Sequence, residues 1–496
     1  MLPSRRLRAQ PIVSGVAVVT LALGLAACGS QLDPDEVAAA GAGAGQVAGG
    51  GLASPEVLAG DDSDPGSTVE EESGGPGGSG GSSGSGGGAG EGSGSDVDGG
   101  EAPKGRGGND ATGGVEAAGC DGFQNGPGIT ADTITIGNAS DISGPVPGLF
   151  EASQEATKAY VAYFNATSDI CGRKLVLKTY DSRSDAAADQ RAYADACDST
   201  FAMVGSMSAF DSGGAATAEK CGLPDIRSTA VTGDRQTCDT CFGAQSTIAG
   251  EMNNAVPDYV MKNHPKAADN AAMLYINAGA AAENGPLQAK AMTKRGMRFT
   301  YVQGIDVSEF NYGPFVQQLK DREVRYVQMI GQPAQFTRLT DAMKQQSYKP
   351  DVLMFDPSAY DPDYVEGGGE GAEGTTVFMN FVPFEEASRN KETQLYLSWL
   401  QQVKPGAQPT FFGVFSWSAA RLFVERATAL GGDLSRQSLI ASMRKVDDWT
   451  ANGLHAPQRP GPKRTGECFR FVQLREGRWV PEAGTRYHCN GTTVVS

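Results

Sequence analysis

Between residues 133 and 356 the sequence runs through one rhythm twice, a short apolar run followed by an amphipathic stretch and another apolar run. TITIGNAS, KLVLKTYD, FAMVGS and PDIRS read as strands, separated by the helical patterns EASQEATKAYVAYFNA, DAAADQRAYADACDS and SGGAATAEKCG. After a polar stretch containing TCDTC the rhythm restarts. A helix over 248–263 leads to the strand AAMLYIN, a helix over 287–295, RFTYVQG, a helix over 314–321, VRYVQMI, the helix QFTRLTDAMKQQ and DVLMFD. Strands that alternate with helices run parallel, because each helix carries the chain back to the end where the last strand began. Two such units predict an α/β fold of two Rossmann-like lobes, with ligand chemistry at the carboxyl ends of the strands facing a shared cleft. The helical segments 411–430 and SRQSLIASMRKV then return to the first lobe. CFRFVQLREGRWVPE reads as a hairpin with a Glu476-Gly477 turn, closing on the second.

Ahead of this region the sequence changes character. Residues 29–119 are dominated by Gly, Ala and Ser with scattered acids and no aromatic residue, as in GGPGGSGGSSGSGGGAGEGSGSDVDGG. Such a chain buries too little apolar surface to offset its ordering entropy and reads as a tether, with an end-to-end distance of roughly 50 Å. At the N-terminus Arg5, Arg6 and Arg8 precede an uncharged apolar run that closes on small residues, the pattern of an export signal. Its last four residues, Leu25-Ala26-Ala27-Cys28, resemble the bacterial lipobox, which implies cleavage before Cys28 and a lipid on that thiol. Glycines and serine break the apolar run near the lower length limit for a membrane span, which weighs against a permanent transmembrane helix.

Cysteine usage agrees with export. Setting aside Cys28, eight of the nine cysteines remain, an even number that favours disulfides in an oxidising compartment. Proximity along the chain suggests Cys120 with Cys171, Cys197 with Cys221, Cys238 with Cys241, and Cys468 with Cys489, although sequence alone does not fix connectivity. The Cys238-x-x-Cys241 motif sits in a polar stretch rather than at a helix start after a strand, so a tight structural loop is preferred over redox chemistry. A zinc site would need a second pair of ligands, and His264, His455 and His488 stand singly. The net charge of −17 argues against nucleic acid as the main partner.

From residue 129 onward the order and spacing of several segments resemble the type I periplasmic binding proteins of branched-chain amino acid ABC transporters. The segments are GITADTITIGNASDISGPVPG, KLVLKTYDSRSDAAADQ, FAMVGSMSAFDSGG and LIASMRKVDDWTANGLHAPQRPGPKRTGECFRFVQLREGRWVP. The resemblance implies two lobes joined by three crossovers, expected at 244–250, 380–384 and 452–457, that close around a small solute. It divides the chain into a signal peptide (1–27), the tether (28–119), a first lobe (120–248 with 382–455) and a second (249–381 with 456–496). By position it places solute contacts at Ser206, Ser208, Ala209, Phe210, Ser228 and Thr229 in the first lobe, where amide donors at helix N-termini suit a carboxylate. In the second lobe it places them at Ala282, Glu283, Gln332, Asp356 and Tyr360, with Phe381 as a further aromatic. The chain departs from the amino-acid binders in lacking an aromatic residue over 277–285, which opens the solute to other small polar or aromatic compounds.

Catalytic readings find little support. Ser-x-x-Lys occurs at Ser388 and Ser442 without the accompanying motifs of penicillin-recognising enzymes, and there is no Gly-x-Ser-x-Gly, His-Glu-x-x-His or Walker loop. The acids Asp356, Asp361, Asp363 and Glu366 do not have the spacing of a calcium loop. The expectation is a monomeric, non-enzymatic lipoprotein needing no cofactor or metal, which passes a small solute to an ABC permease and ATPase at the membrane. The alternative is a surface sensor or interaction lipoprotein that keeps the fold without delivering solute.

Overall fold

The computed structural model describes residues 115–496. The export signal, Cys28 and nearly all of the expected tether lie outside them.

The first sheet contains β1 (Thr133–Ser140), β2 (Lys174–Asp181), β3 (Ala202–Val204), β4 (Asp225–Thr229) and β5 (Cys241–Gln245), all parallel and in the order β2-β1-β3-β4-β5. Its connecting helices are α1 (Glu151–Thr167), α2 (Ala186–Ser199), α3 (Ser212–Lys220) and the short α4 (Gly233–Thr237). Both faces are covered, so alternate residues of a strand enter different cores. Ala202 and Val204 join the core containing α1, while Met203 joins Tyr193 and Ala215 on the other face.

The second sheet repeats the plan. β7 (Ala271–Ile276), β8 (Phe299–Ile305), β9 (Tyr326–Ile330), β10 (Val352–Phe355) and β11 (Thr376–Met379) lie parallel in the order β8-β7-β9-β10-β11, and the antiparallel strands β12 (Cys468–Arg475) and β13 (Arg478–Glu482) extend the β11 edge. The helices are α5 (Ala255–Asn263), α6 (Pro265–Ala268), α7 (Gly279–Arg295), α8 (Gly313–Asp321), α9 (Pro333–Gln345) and α10 (Pro362–Gly368). In each sheet strand order reverses once, between β1 and β3 and between β7 and β9. At such a switch point successive loops leave in opposite directions and open a crevice at the carboxyl ends.

Three further helices, α11 (Lys391–Val403), α12 (Phe411–Leu430) and α13 (Arg436–Met443), return to the first sheet. α12 is buried along nearly its whole length and starts at Thr410, whose side chain accepts the Gly413 amide. It is bonded to the sheet from both directions: Ser416 Oγ donates to Gly205 O at 2.9 Å, and Ser228 Oγ donates to Phe412 O at 3.2 Å.

Several elements differ from the sequence expectation. The segment read as one helix over 248–263 begins with β6 (Glu251–Asn253), which pairs with the C-terminal strand β15 (Thr492–Val494), while β14 (His488–Cys489) pairs with β12. Helix α7 starts at Gly279 rather than near 287, with Pro286 inside it. The polar stretch around TCDTC runs into the fifth strand of the first sheet, and α11 was not anticipated. All eight described cysteines are joined in the four suggested pairs: Cys120–Cys171, Cys197–Cys221, Cys238–Cys241 and Cys468–Cys489.

The chain crosses between the sheets three times, and the crossings bond to one another. Ser246 N donates to Gln458 Oε1 at 3.0 Å, and Arg459 N to Ser246 Oγ at 2.6 Å. Phe381 and His455 form an antiparallel bridge, flanked by Ala456 N donating to Asn380 O at 2.7 Å. His455 is fully enclosed by this junction. A carbonyl can only accept, so the 2.9 Å contact to Ala456 O places its proton on Nδ1, and Nε2 accepts from Ser418 Oγ at 2.8 Å. Trp449 Nε1 donates in turn to Ser418 Oγ.

Burial lowers the His455 pKa to about 4, against 6.5 for an ordinary imidazole. The unfolded chain takes up the proton as pH falls through 6.5, whereas the folded chain resists until about 4. This contribution to stability is therefore complete above pH 6.5 and lost below it, to an extent of about 3 kcal/mol. Between pH 7 and pH 5 the parent is expected to lose about 2 kcal/mol more stability than His455→Gln, measured by denaturant unfolding. Equal losses would contradict the buried neutral imidazole.

Candidate functional site

The carboxyl ends of both parallel sheets face one cavity of about 320 Å³. The loop after β1 contributes Pro145, Val146 and Phe150, the loops after β3 and β4 contribute Ala209, Phe210 and Val231, and α12 presents Phe411 and Phe412. Across the cleft stand Ile276 from β7, Ala280 and Leu287 from α7, and Ile330 from β9. The first crossing supplies the inner end with Thr247 and Ile248, beside Met252 of β6 (Glu251–Asn253) and Phe469 of β12. Six phenylalanines reach the cavity in all: Phe150, Phe210, Phe378, Phe411, Phe412 and Phe469. Among the described residues no lysine, arginine or histidine lines it.

Two carboxyl groups do. Burial works against ionisation of Glu251, but Arg464, the Thr465 amide and Thr492 bond to it and hold its pKa below the ordinary value. At Asp356 burial prevails over two amide donors, Ser358 N at 2.8 Å and Gly331 N at 3.1 Å, and raises its pKa to about 6.

The strand-end amides are already engaged. Asp141, fully buried after β1, accepts Ser184 N and Ala209 N at 2.9 Å each and the Ser182 hydroxyl at 2.6 Å. Asp211, also fully buried, accepts Val231 N at 3.0 Å, Thr232 N at 3.1 Å and the Thr232 hydroxyl. It also lies 3.6 Å from Arg227, which is part of a solvent-free network with Arg235, Asp189 and Asp225. Phe210 N donates to Ser208 Oγ, and Gln332 N to Gln335 Oε1.

Five of the residues expected to contact solute face the cavity: Ala209, Phe210, Thr229, Gln332 and Asp356. The others lie outside its lining, each for a visible reason. Ser206 accepts the Ala139 amide within the sheet, Ser208 caps the Phe210 amide, and Ser228 is turned to Phe412 O on α12. Tyr360 is buried among Phe381, Phe384 and Trp479 with its hydroxyl on Glu385, so neither it nor Phe381 reaches the cleft. Ala282 lies on α7 beside lining residues, and Glu283 reaches across to accept the Gly233 amide at 3.0 Å. The apolar inner end and the α12 phenylalanines carried no local signal in the sequence. They belong to segments far apart in the chain that meet only after folding.

Glu283 makes one of the direct contacts between the lobes beside the cavity. Asn284 Nδ2 donates to Val231 O at 3.0 Å, and Ala280 N to Ala209 O at 2.9 Å. Gly279 packs so tightly there, at φ +49°, that a Cβ would stand 2.4 Å from Ala209 O.

Residues 133–478 match the family model described as periplasmic binding protein. The chain belongs to that family. Among solved structures, this periplasmic binding protein is similar to a leucine-binding protein from Thermotoga maritima, at 15% identity and a TM-score of 0.60, covering 71% of this chain and 98% of that one. It is also similar to the substrate-binding protein of a fatty acid ABC transporter from Thermomonospora curvata (17% identity, TM-score 0.61, 76% and 95% covered). A third is a solute-binding protein of an ABC transporter from R. palustris in complex with benzoate (16%, 0.60, 73% and 98%). At these identities the similarity is one of fold. No match was found among curated proteins. Among the described residues no helix is long and apolar enough to cross a membrane.

The lobe contact at Gly279 makes a direct expectation. Gly279→Val pushes the lobes apart, so small-angle X-ray scattering should give a larger radius of gyration with unchanged circular dichroism. An unchanged radius would contradict the tight closure.

Proposed function

We propose that this periplasmic binding protein is the lipid-anchored, extracytoplasmic solute receptor of an ABC transporter. It takes up a small solute between two closing lobes, 120–248 with 382–455 and 249–381 with 456–496, and presents it as a monomer to the permease and ATPase. Cys28 is the anchor, and the segment 28–119 is the tether that lets the receptor reach the transporter. Non-enzymatic binding is the chemistry of the family. The observation that carries this reading is the cavity of about 320 Å³ enclosed by both sheets' carboxyl ends and by the crossings between them. That volume lies within the range of small-molecule sites, and its apolar walls with a few polar groups are typical of them.

Closure supports the same reading. Solute contacts to both lobes stabilise the closed state by their differential affinity over the open one. The contacts of Glu283, Asn284 and Ala280 across the cleft reduce what the solute itself must supply. The similar structures are named for leucine, fatty acid and benzoate, three solutes of differing polarity.

Thermal unfolding against a panel of amino acids, amides, short-chain carboxylates, alcohols and aromatic compounds tests the proposal. At a hundredfold excess over the dissociation constant, the true solute class is expected to stabilise the protein by about 2.7 kcal/mol. Absence of a shift with every class, from folded protein shown to carry no ligand, would overturn it.

A further inference from the structure

An anion buried in a cleft needs a cation or several unengaged N–H donors, since removing a carboxylate from water is otherwise prohibitive. Among the described residues this cleft has no cationic side chain, and its strand-end amides are already engaged. The amides of five lining residues, Ser184, Ala209, Val231, Gly331 and Ser358, are donated to the chain's own Asp141, Asp211 and Asp356. Asp141 and Asp211 are fully buried and held by further bonds, so an incoming carboxylate has no route to displace them. Asp356 and Glu251 add negative charge to the lining itself.

An ammonium group is no better served. Glu251 already pairs with Arg464, and each Asp356 oxygen already accepts an amide, which leaves an ammonium only the remaining lone pairs of one carboxyl group. What the cavity does offer is neutral polar groups, the unpartnered Ser184 hydroxyl and the pair formed by Thr229 and Gln245 among them. Thr229 and Gln245 are register partners at the carboxyl ends of β4 and β5, and both face the cavity. The Thr229 hydroxyl is buried and has no hydrogen-bond partner in the protein. Buried polar atoms left unpaired are costly, and this one belongs to a residue of the cavity wall, where a ligand atom can pair with it. The neighbouring Gln245 amide supplies donors and an acceptor, and the phenylalanines enclose the rest.

Resting on the reading of the cleft as a solute receptor, we propose that its solute is an uncharged, mainly apolar molecule bearing a carbonyl, amide or hydroxyl group held by Thr229 and Gln245. Charge is thus the selection criterion. Solutes that enter as carboxylates or zwitterions are rejected because the donors that would receive them are internally satisfied.

Matched compounds of constant skeleton test this on the mature full-length chain by isothermal titration calorimetry at pH 7: benzamide, benzoate and benzylamine, then hexanamide, hexanoate and hexylamine. The neutral amide of at least one skeleton is expected to bind at least tenfold more tightly than its charged counterparts. Thr229→Val, checked for an unchanged unfolding midpoint, is expected to weaken that amide about tenfold. A carboxylate or amine that binds as well as its amide would overturn the inference and leave the receptor reading intact. So would an undiminished affinity in Thr229→Val. Failure of all six compounds would overturn this solute class. If the wider panel also gives no shift, the receptor reading falls with it.

Discussion

Two parallel sheets meeting at their carboxyl ends bring many backbone N–H groups to one place, and the structure depends on what accepts them. Here the acceptors are the chain's own carboxyl groups. Asp141 ties the loops after β1, β2 and β3 together, Asp211 ties the loop after β3 to the one after β4, and Asp356 ties the loop after β9 to the one after β10. The same bonds fix the shape of the cavity and settle its electrostatics. A site whose donors are spent inwardly presents mainly apolar walls.

The cleft is also rigidly founded. Asp211 sits within reach of Arg227, which joins Asp225, Arg235 and Asp189 in a network without solvent contact. Breaking one member of such a group leaves another charge buried and uncompensated, at a cost of about 3–5 kcal/mol. At the opposite end of the cleft the three crossings are laced through Ser246, Gln458 and the strand bridge at His455. The crossings thus form a bonded junction, and the lobes also meet through α7.

Much of this was legible in the sequence. Strand and helix alternation gave both sheets and most helices, because a buried parallel strand must be a short apolar run and its return helix must be amphipathic. It failed where local composition misled. Cys241–Gln245 follows a polar stretch, α7 begins in a run of alanines and contains Pro286, and β6 exists only because a strand more than two hundred residues later pairs with it. The site was half legible. Loop position put Ala209, Phe210, Thr229, Gln332 and Asp356 at the cleft, where they line the cavity, yet nothing local shows that Ser206 and Ser228 turn into the sheet or that Tyr360 is enclosed by Trp479. The amides at the helix N-termini that suggested a carboxylate site are engaged by the chain's own carboxyl groups, Gly214 N by Asp189 and Gly233 N by Glu283. An acid such as Asp141 in sequence is an acid of unknown partner until folding brings Ala209 to it.

Amide hydrogen exchange at the cleft loops, followed by NMR in ligand-free protein, reads out whether the chain's own carboxyl groups hold these donors. If internal carboxyl groups hold these donors, the amides of Ser184, Ala209, Val231, Thr232 and Gly331 exchange slowly before any solute is added and change little afterwards. Rapid exchange in the free protein, with protection appearing only on addition of an anionic solute, would show that the donors are free to receive an anion.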